Sequence, residues 1–220
     1  MPNDDVPLVV AVDMDGVICD HVSPLLPRLS RLIGRKLERK EITSWDYRIG
    51  RKSLCDEVEK SLEDRRFALT FPPIRGATNG LRNISKFFKI VIVSSRNLKH
   101  IEMTKEWLLM HNIRYPLLMT REKQKIEANV LIDDNLEFTA LFARRGRVSL
   151  LFSQPWNSDH SEIESLIQNK SIIPCKGWPS VVATVKRLTQ SRTAHLLHRV
   201  IRTHQHVSSL VASKASLGAS

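Results

Sequence analysis

Three aliphatic stretches of this chain stop at groups that can do chemistry. Leu8–Val12 runs into Asp13 and Asp15 with Gly16 behind them, Lys89–Val93 ends in Ser94, Ser95 and Arg96, and Val130–Ile132 ends in Asp133 and Asp134. A fourth group, Lys123, closes the stretch Thr120–Lys123 between the last two. A short apolar run bounded by polar residues reads as a buried strand. Strands covered on both faces belong to parallel sheets, whose ligands gather at the strands' carboxyl ends. Asp13 and Asp15 would share a face of a continued strand, and Gly16 permits a tight turn that brings backbone N–H groups towards an anion. Carboxylates converging on one sheet edge repel one another unless a cation sits among them. Hard oxygen donors of this kind suit Mg²⁺, which also binds a substrate phosphate. Arg96 and Lys123 would bring positive charge to phosphoryl oxygens, and Ser94 and Ser95 hydrogen-bonding hydroxyls. Each piece alone has a plain structural alternative: an Asp-Gly turn, a strand leaving the core at two serines, an Asp-Asp-Asn helix cap. Their occurrence together, in this order, points to chemistry.

The elements that must position these groups are legible in part. After the first strand, Ser23-Pro24 is expected to open a helix, with Ser23 as its cap, that Gly34 closes. Arg35–Arg51 is expected to be a polar, basic loop around Thr43–Tyr47. Leu54, Val58 and Leu62 step along one face of a helix expected to run to about Leu69. Phe71–Gly76 must be extended or turned, and Leu81, Ile84 and Phe88 mark the next helix. From there strands at 89–95, 117–119, 130–134 and 148–152 alternate with helices at about 98–111 and 136–144. Gly177–Ser180 opens a last helix with Val181, Val185 and Leu188 on its buried face. Alternation of this kind predicts an α/β fold, a doubly wound parallel sheet, with a small helical segment inserted after the first strand. Domain bounds follow: a core of 1–17 and 76–189, a cap of 18–75, and a basic tail of 190–220, disordered or a lone amphipathic helix.

The 220 residues can bury a sizeable core. Three scattered cysteines, Cys19, Cys55 and Cys175, suggest reduced thiols, and no pair of them has metal-ligand spacing. The longest apolar runs are too short to cross a membrane, and Met1–Asp5 lacks the basic and apolar regions of a secretory signal. A cytoplasmic protein is the expectation. Charge is uneven within a net +11: residues 1–20 carry five Asp and no base, 21–90 sixteen bases against eight acids, and 165–220 eight bases and no acid. A basic insert and tail around an acidic strand end suggest a polyanionic ligand, a nucleotide or nucleic acid, the alternative being a surface that is merely basic.

Asp13–Gly16, Ser94, Lys123 and Asp133-Asp134 resemble the four ordered motifs of haloacid dehalogenase-like phosphohydrolases. Within that superfamily the chain is most similar to the 5'(3')-deoxyribonucleotidases, through Asp13–Asp20, Pro73–Ala77, Thr120–Lys123, Leu131–Asp134, Phe152–Asn157 and Gly177-Trp178. The likeness covers about residues 8–188. It implies that Asp13 attacks phosphorus and forms an aspartyl-phosphate, and that Asp15 protonates the leaving oxygen and then activates water. It implies Mg²⁺ held by Asp13, the backbone carbonyl of Asp15 and a carboxylate of Asp133 or Asp134, with Ser94 and Lys123 on the phosphoryl oxygens. The inserted segment would be a cap that closes over the site, and Trp45 and Tyr47 would be candidates to stack on a nucleobase or else to pack back on the cap. Two residues depart from the family's habit. His21 stands where an aromatic residue, often Phe, helps to sandwich the base, and Ser94 where Thr is frequent.

The expected activity is therefore a Mg²⁺-dependent phosphatase of (deoxy)nucleoside monophosphates, a phosphoric monoester hydrolase of the 5'-nucleotidase type. A phosphatase of nucleic-acid ends or of another small phosphometabolite is the first alternative, and a non-catalytic binding protein on the same fold the second. Expected partners are a nucleotide or other small phosphomonoester and, through the basic cap and tail, nucleic acid. A homodimer is left open and a membrane is not expected.

Overall fold

A computed structural model describes residues 8–190; the expected basic tail lies almost entirely outside them. In chain order the elements begin with β1 (Val9–Asp13), then α1 (Leu26–Ile33), a small hairpin of β2 (Arg48–Ile49) and β3 (Lys52–Ser53), α2 (Leu54–Glu63) and α3 (Arg65–Leu69). They continue with α4 (Ala77–Ile84), β4 (Lys89–Ser94), α5 (Ile101–Met110), β5 (Leu117–Met119), β6 (Val130–Asp133) and α6 (Leu136–Arg144). The last are β7 (Val148–Phe152), α7 (Glu164–Gln168), β8 (Ile172–Cys175) and α8 (Trp178–Gln190). Six strands form one sheet in the order β5-β4-β1-β6-β7-β8, all paired in parallel.

β1 lies at the centre because Val10, Ala11 and Val12 offer nothing but apolar side chains and are completely buried. The chain first moves outwards to β4 and β5, then returns across β1 to β6, β7 and β8. That reversal leaves a crevice beyond the carboxyl ends of β1 and β6, where a doubly wound sheet binds ligands. Register aligns the ends: Asp13 pairs with Val93 beside it, and Asp133 with Leu151.

Between β1 and α4 the inserted segment has an apolar cluster of its own. Val22, Leu25, Leu29, Leu37, Ile42, Ile49 and Leu54 pack together, and Trp156 reaches into them from the turn after β7. Arg39 fastens the segment further: its guanidinium donates to Asp20 Oδ1, to Ser23 Oγ at 3.0 Å and to Gln154 Oε1 at 2.9 Å.

Several local expectations change. Ser23 is not a side-chain cap; Ser23–Leu25 is a 3-10 turn and α1 starts at Leu26, because the Ser23 hydroxyl is taken by Arg39 and its N–H by Asp20. The helix expected from Leu54 to Leu69 breaks at Asp64, whose carboxylate accepts from Phe67 N–H and so starts α3. Arg35–Arg51 is not wholly loop, since it holds a 3-10 turn at Arg39–Glu41 and half of the hairpin. Edge strand β8 was not expected at all.

Candidate active site

β1 delivers Asp13 to the crevice, and the chain then coils at once. Met14 N–H donates to Val93 O at 3.0 Å, and Gly16 N–H to Cys19 O at 2.9 Å. Gly16 has φ +83°, and a Cβ there would lie 2.0 Å from Asp134 Oδ2. Only glycine lets the first acidic loop approach the last this closely.

Around that approach stand three buried carboxylates. One oxygen each of Asp13, Asp133 and Asp134 lies within 4.8 Å of the other two. Lys123 Nζ bridges Asp13 Oδ1 at 2.7 Å and Asp133 Oδ2 at 2.9 Å, while its charge faces the Phe138 ring at 4.9 Å. Asp133 Oδ1 accepts from Asn135 N–H at 2.9 Å, so both its oxygens are engaged. Asp134 Oδ2 accepts from Trp156 Nε1 at 2.8 Å. Asn157 donates to Asp134 O and to Phe152 O and fixes that turn.

Burial first, and then the charge of Asp133, pushes the Asp13 carboxyl up to about 8, against the pull of Lys123. Burial and the charges of Asp13 and Asp133 likewise push Asp134 well above the carboxylate range. Lys123 is raised despite its burial, by Asp13 and Asp133. Three carboxylates against one ammonium leave a formal charge of 1 − 3 = −2 if all are ionised. An all-oxygen donor set carrying that excess fits a divalent cation.

Asp15 is held differently. Arg96 grips it with both arms of its fork, Nε to Oδ2 at 2.7 Å and Nη2 to Oδ1 at 2.6 Å. Burial would raise the Asp15 carboxyl, but the guanidinium outweighs it and holds the group low. Arg96, expected on the phosphate, therefore rests on a carboxylate. Ser94 is fully buried, with its Oγ accepting from Arg96 N–H at 3.3 Å, whereas Ser95 lies on the cavity wall.

A cavity of about 310 Å³ opens over these groups. Its floor carries Asp13, Asp15, Lys123 and Asp134, and its opposite wall is α2, through Cys55, Val58, Glu59 and Leu62. His21 and Trp45 form one end, stacked at 5.2 Å and 11°, with Trp156 5.0 Å behind Trp45. Both ring nitrogens of His21 and Trp45 Nε1 are buried without a partner. Burial lowers the His21 pKa, against the pull of Asp15, and so favours the neutral ring. Tyr47 packs on the inserted segment's apolar cluster and is not among the cavity's lining residues.

Sequence reasoning assigned no part to Trp156, Glu59 or Arg121, all of which border this site. Trp156 and Arg121 stand inside stretches that carry the family likeness. Glu59 adjoins Val58 on the periodic face of α2, which was the available signal.

Residues 7–171 match the family described as "5' nucleotidase, deoxy (Pyrimidine), cytosolic type C protein". The chain is 29% identical over 172 residues to the "Putative 5'(3')-deoxyribonucleotidase" of Chlorobaculum tepidum, covering 72% of this chain and 84% of that one. It is 30% identical over 139 residues to the human "5'(3')-deoxyribonucleotidase, cytosolic type", covering 57% and 69%. Its fold matches a haloacid dehalogenase family hydrolase of Deinococcus radiodurans, solved with bound phosphate and sodium. That match has a TM-score of 0.55 and 16% identity, and covers 87% of this chain and 98% of that one. Matched along most of its described length, with a parallel sheet that gathers the four motifs at one edge, the chain belongs to the deoxyribonucleotidase family of haloacid dehalogenase-like hydrolases and is a phosphoric monoester hydrolase of the 5'-nucleotidase type.

Proposed function

We propose that the protein hydrolyses (deoxy)nucleoside monophosphates through an aspartyl-phosphate on Asp13, with Mg²⁺ as cofactor. The observation that carries this reading is the state of Asp13. Lys123 and Met14 N–H both bind its Oδ1, no partner among the described residues takes Oδ2, and the residue lines the cavity. Oδ2 attacks phosphorus as the bond to the sugar oxygen breaks. Protonated Asp15 gives that oxygen its proton. Water then attacks the phosphoryl group, Asp15 takes the water's proton, and the bond to Asp13 Oδ2 breaks to release phosphate.

Lys123 from the floor and Ser95 from the wall hold phosphoryl oxygens, and Ser94 Oγ, accepting from Arg96 N–H, steadies the Arg96 loop. Asp13, Asp134 and the backbone carbonyl of Asp15 would hold Mg²⁺, which reduces the repulsion between the nucleophile and an anionic phosphate. Asp133, engaged by Lys123 and Asn135, orients the lysine. An incoming phosphoryl group competes with Asp15 for Arg96 and so frees Asp15 to carry a proton. The His21–Trp45 end of the cavity would take the base.

Phosphate release from deoxy and ribo nucleoside 5'- and 3'-monophosphates, with Mg²⁺ and with EDTA, tests this. Mg²⁺-dependent turnover that Asp13→Asn abolishes without unfolding supports it. Retained turnover in Asp13→Asn overturns the covalent route. Silence on mononucleotides with turnover of a 3'-phosphorylated oligonucleotide moves the substrate to nucleic-acid ends.

A further inference from the structure

Beside the catalytic cavity, α2 carries the half-exposed Glu59 and Glu63. They are one helical turn apart and so share a face. Opposite them is His100, at the end of the 3-10 turn Leu98–His100 that follows β4. One oxygen of each glutamate and a ring nitrogen of His100 all lie within 4.8 Å of one another. His100 is 6% exposed, and its Nε2 is buried with no hydrogen-bond partner; Glu59 Oε1 stands off at 3.5 Å. A buried ring nitrogen left unbonded costs stability, and this one is aimed between two carboxylates. Lys99 donates to Glu63 and lies 3.8 Å from Glu59, but makes no hydrogen bond to the imidazole. The cluster thus already attracts a cation, and that cation leaves its buried nitrogen unused.

We propose that Glu59, Glu63 and His100 form a second divalent-cation site, distinct from the catalytic carboxylates. Two carboxylate oxygens and an imidazole nitrogen suit a borderline ion such as Zn²⁺ or Co²⁺, whereas the all-oxygen set around Asp13 suits a hard one. Lys99 is the competitor. Its side chain is half-exposed and can swing into solvent as the ion enters. Because Glu59 also lines the catalytic cavity, an ion held here ties the α2 wall to the segment leaving β4.

The test counts Zn²⁺ bound to the full chain by equilibrium dialysis in excess Mg²⁺. The wild-type chain is expected to bind one equivalent that Glu63→Gln and His100→Asn each lack, and Lys99→Gln to bind that equivalent more tightly. Glu63 is half-exposed, so its variant keeps the reading valid if His100→Asn fails to fold. Zn²⁺ taken up by the catalytic carboxylates or by other histidines of the chain is common to all these chains and cancels in the comparison. An equal Zn²⁺ count and affinity in wild type and Glu63→Gln overturns the site. So does the absence of this equivalent from both wild type and Lys99→Gln.

Discussion

Asp134 and Trp156 meet through an indole N–H at 2.8 Å, and that bond decides which way the last acidic pair faces. Asp133 is engaged by Lys123 and Asn135, so under the proposed mechanism the carboxylate left to a cation is the one Trp156 contacts. Groups that orient a metal ligand from behind typically change metal affinity 10–100-fold when lost. Trp156→Phe keeps the ring and removes the donor. The expected outcome is a rise of about 10–100-fold in the Mg²⁺ concentration for half-maximal phosphate release, read from Mg²⁺ titrations beside an unchanged circular dichroism spectrum. At this scale the sequence exposed Asp13, Asp15, Lys123 and the Asp133-Asp134 pair, because strand-end polar groups interrupt apolar runs. It did not expose the Arg96 grip on Asp15, nor that Ser95 rather than Ser94 reaches the cavity wall. Both depend on side-chain directions set by tertiary contacts, which spacing along a chain does not encode.

The elements are held to the sheet by contacts whose logic is equally specific. α4 and α8 pack through Gly80, where a Cβ would come within 2.1 Å of Trp178 Cε3. Trp178 is itself buried, and its indole donates to Val17 O at 2.9 Å, just behind the Asp13–Gly16 loop. Gly80→Ala gains helix propensity but forces that ring to move, and overpacking of this kind costs about 1–3 kcal/mol. Urea unfolding is expected to show that loss as a lower midpoint with an unchanged slope. Arg39 is the corresponding tie of the inserted segment. Arg39→Ala removes bonds to Asp20, Ser23 and Gln154 together, and is expected to raise the KM for a nucleoside monophosphate more than it lowers kcat, since no reacting atom is touched. The central strands were readable as aliphatic runs. β8 was not, because Ile172–Cys175 is short and contains Pro174, a residue tolerated only where a strand has an unpaired edge. The break at Asp64 was hidden because no Gly or Pro marks it and apolar residues resume at Phe67 and Leu69.

Across the whole molecule, the return of the chain over β1 is what places two acidic loops, some 120 residues apart in sequence, against each other. That convergence has a cost of its own. In the metal-free chain the Asp13 carboxyl is pushed up to about 8, from an ordinary value of 3.8, by burial and by Asp133, and Asp134 is raised in the same direction. Between those two values the folded chain binds more protons than the unfolded one. Stability therefore falls as pH rises from about 4 to about 8, the contribution of the protonated carboxyls being complete below the lower value and gone above the upper. A cation reverses the sign of the local field, since it favours the ionised oxygens that burial disfavours, and ligand binding to the folded state alone adds stability. Melting temperatures measured in EDTA are accordingly expected to drop between pH 5 and pH 8, after allowance for the titration of histidines elsewhere. Mg²⁺ is expected to raise the melting temperature more at pH 8 than at pH 5, where protons occupy the same oxygens. Asp134→Asn removes one of the raised carboxyls, and is expected to flatten the pH dependence in EDTA and to weaken the Mg²⁺ response together. An unchanged slope in that variant would place the destabilising charge elsewhere than in the cluster at the ends of β1 and β6.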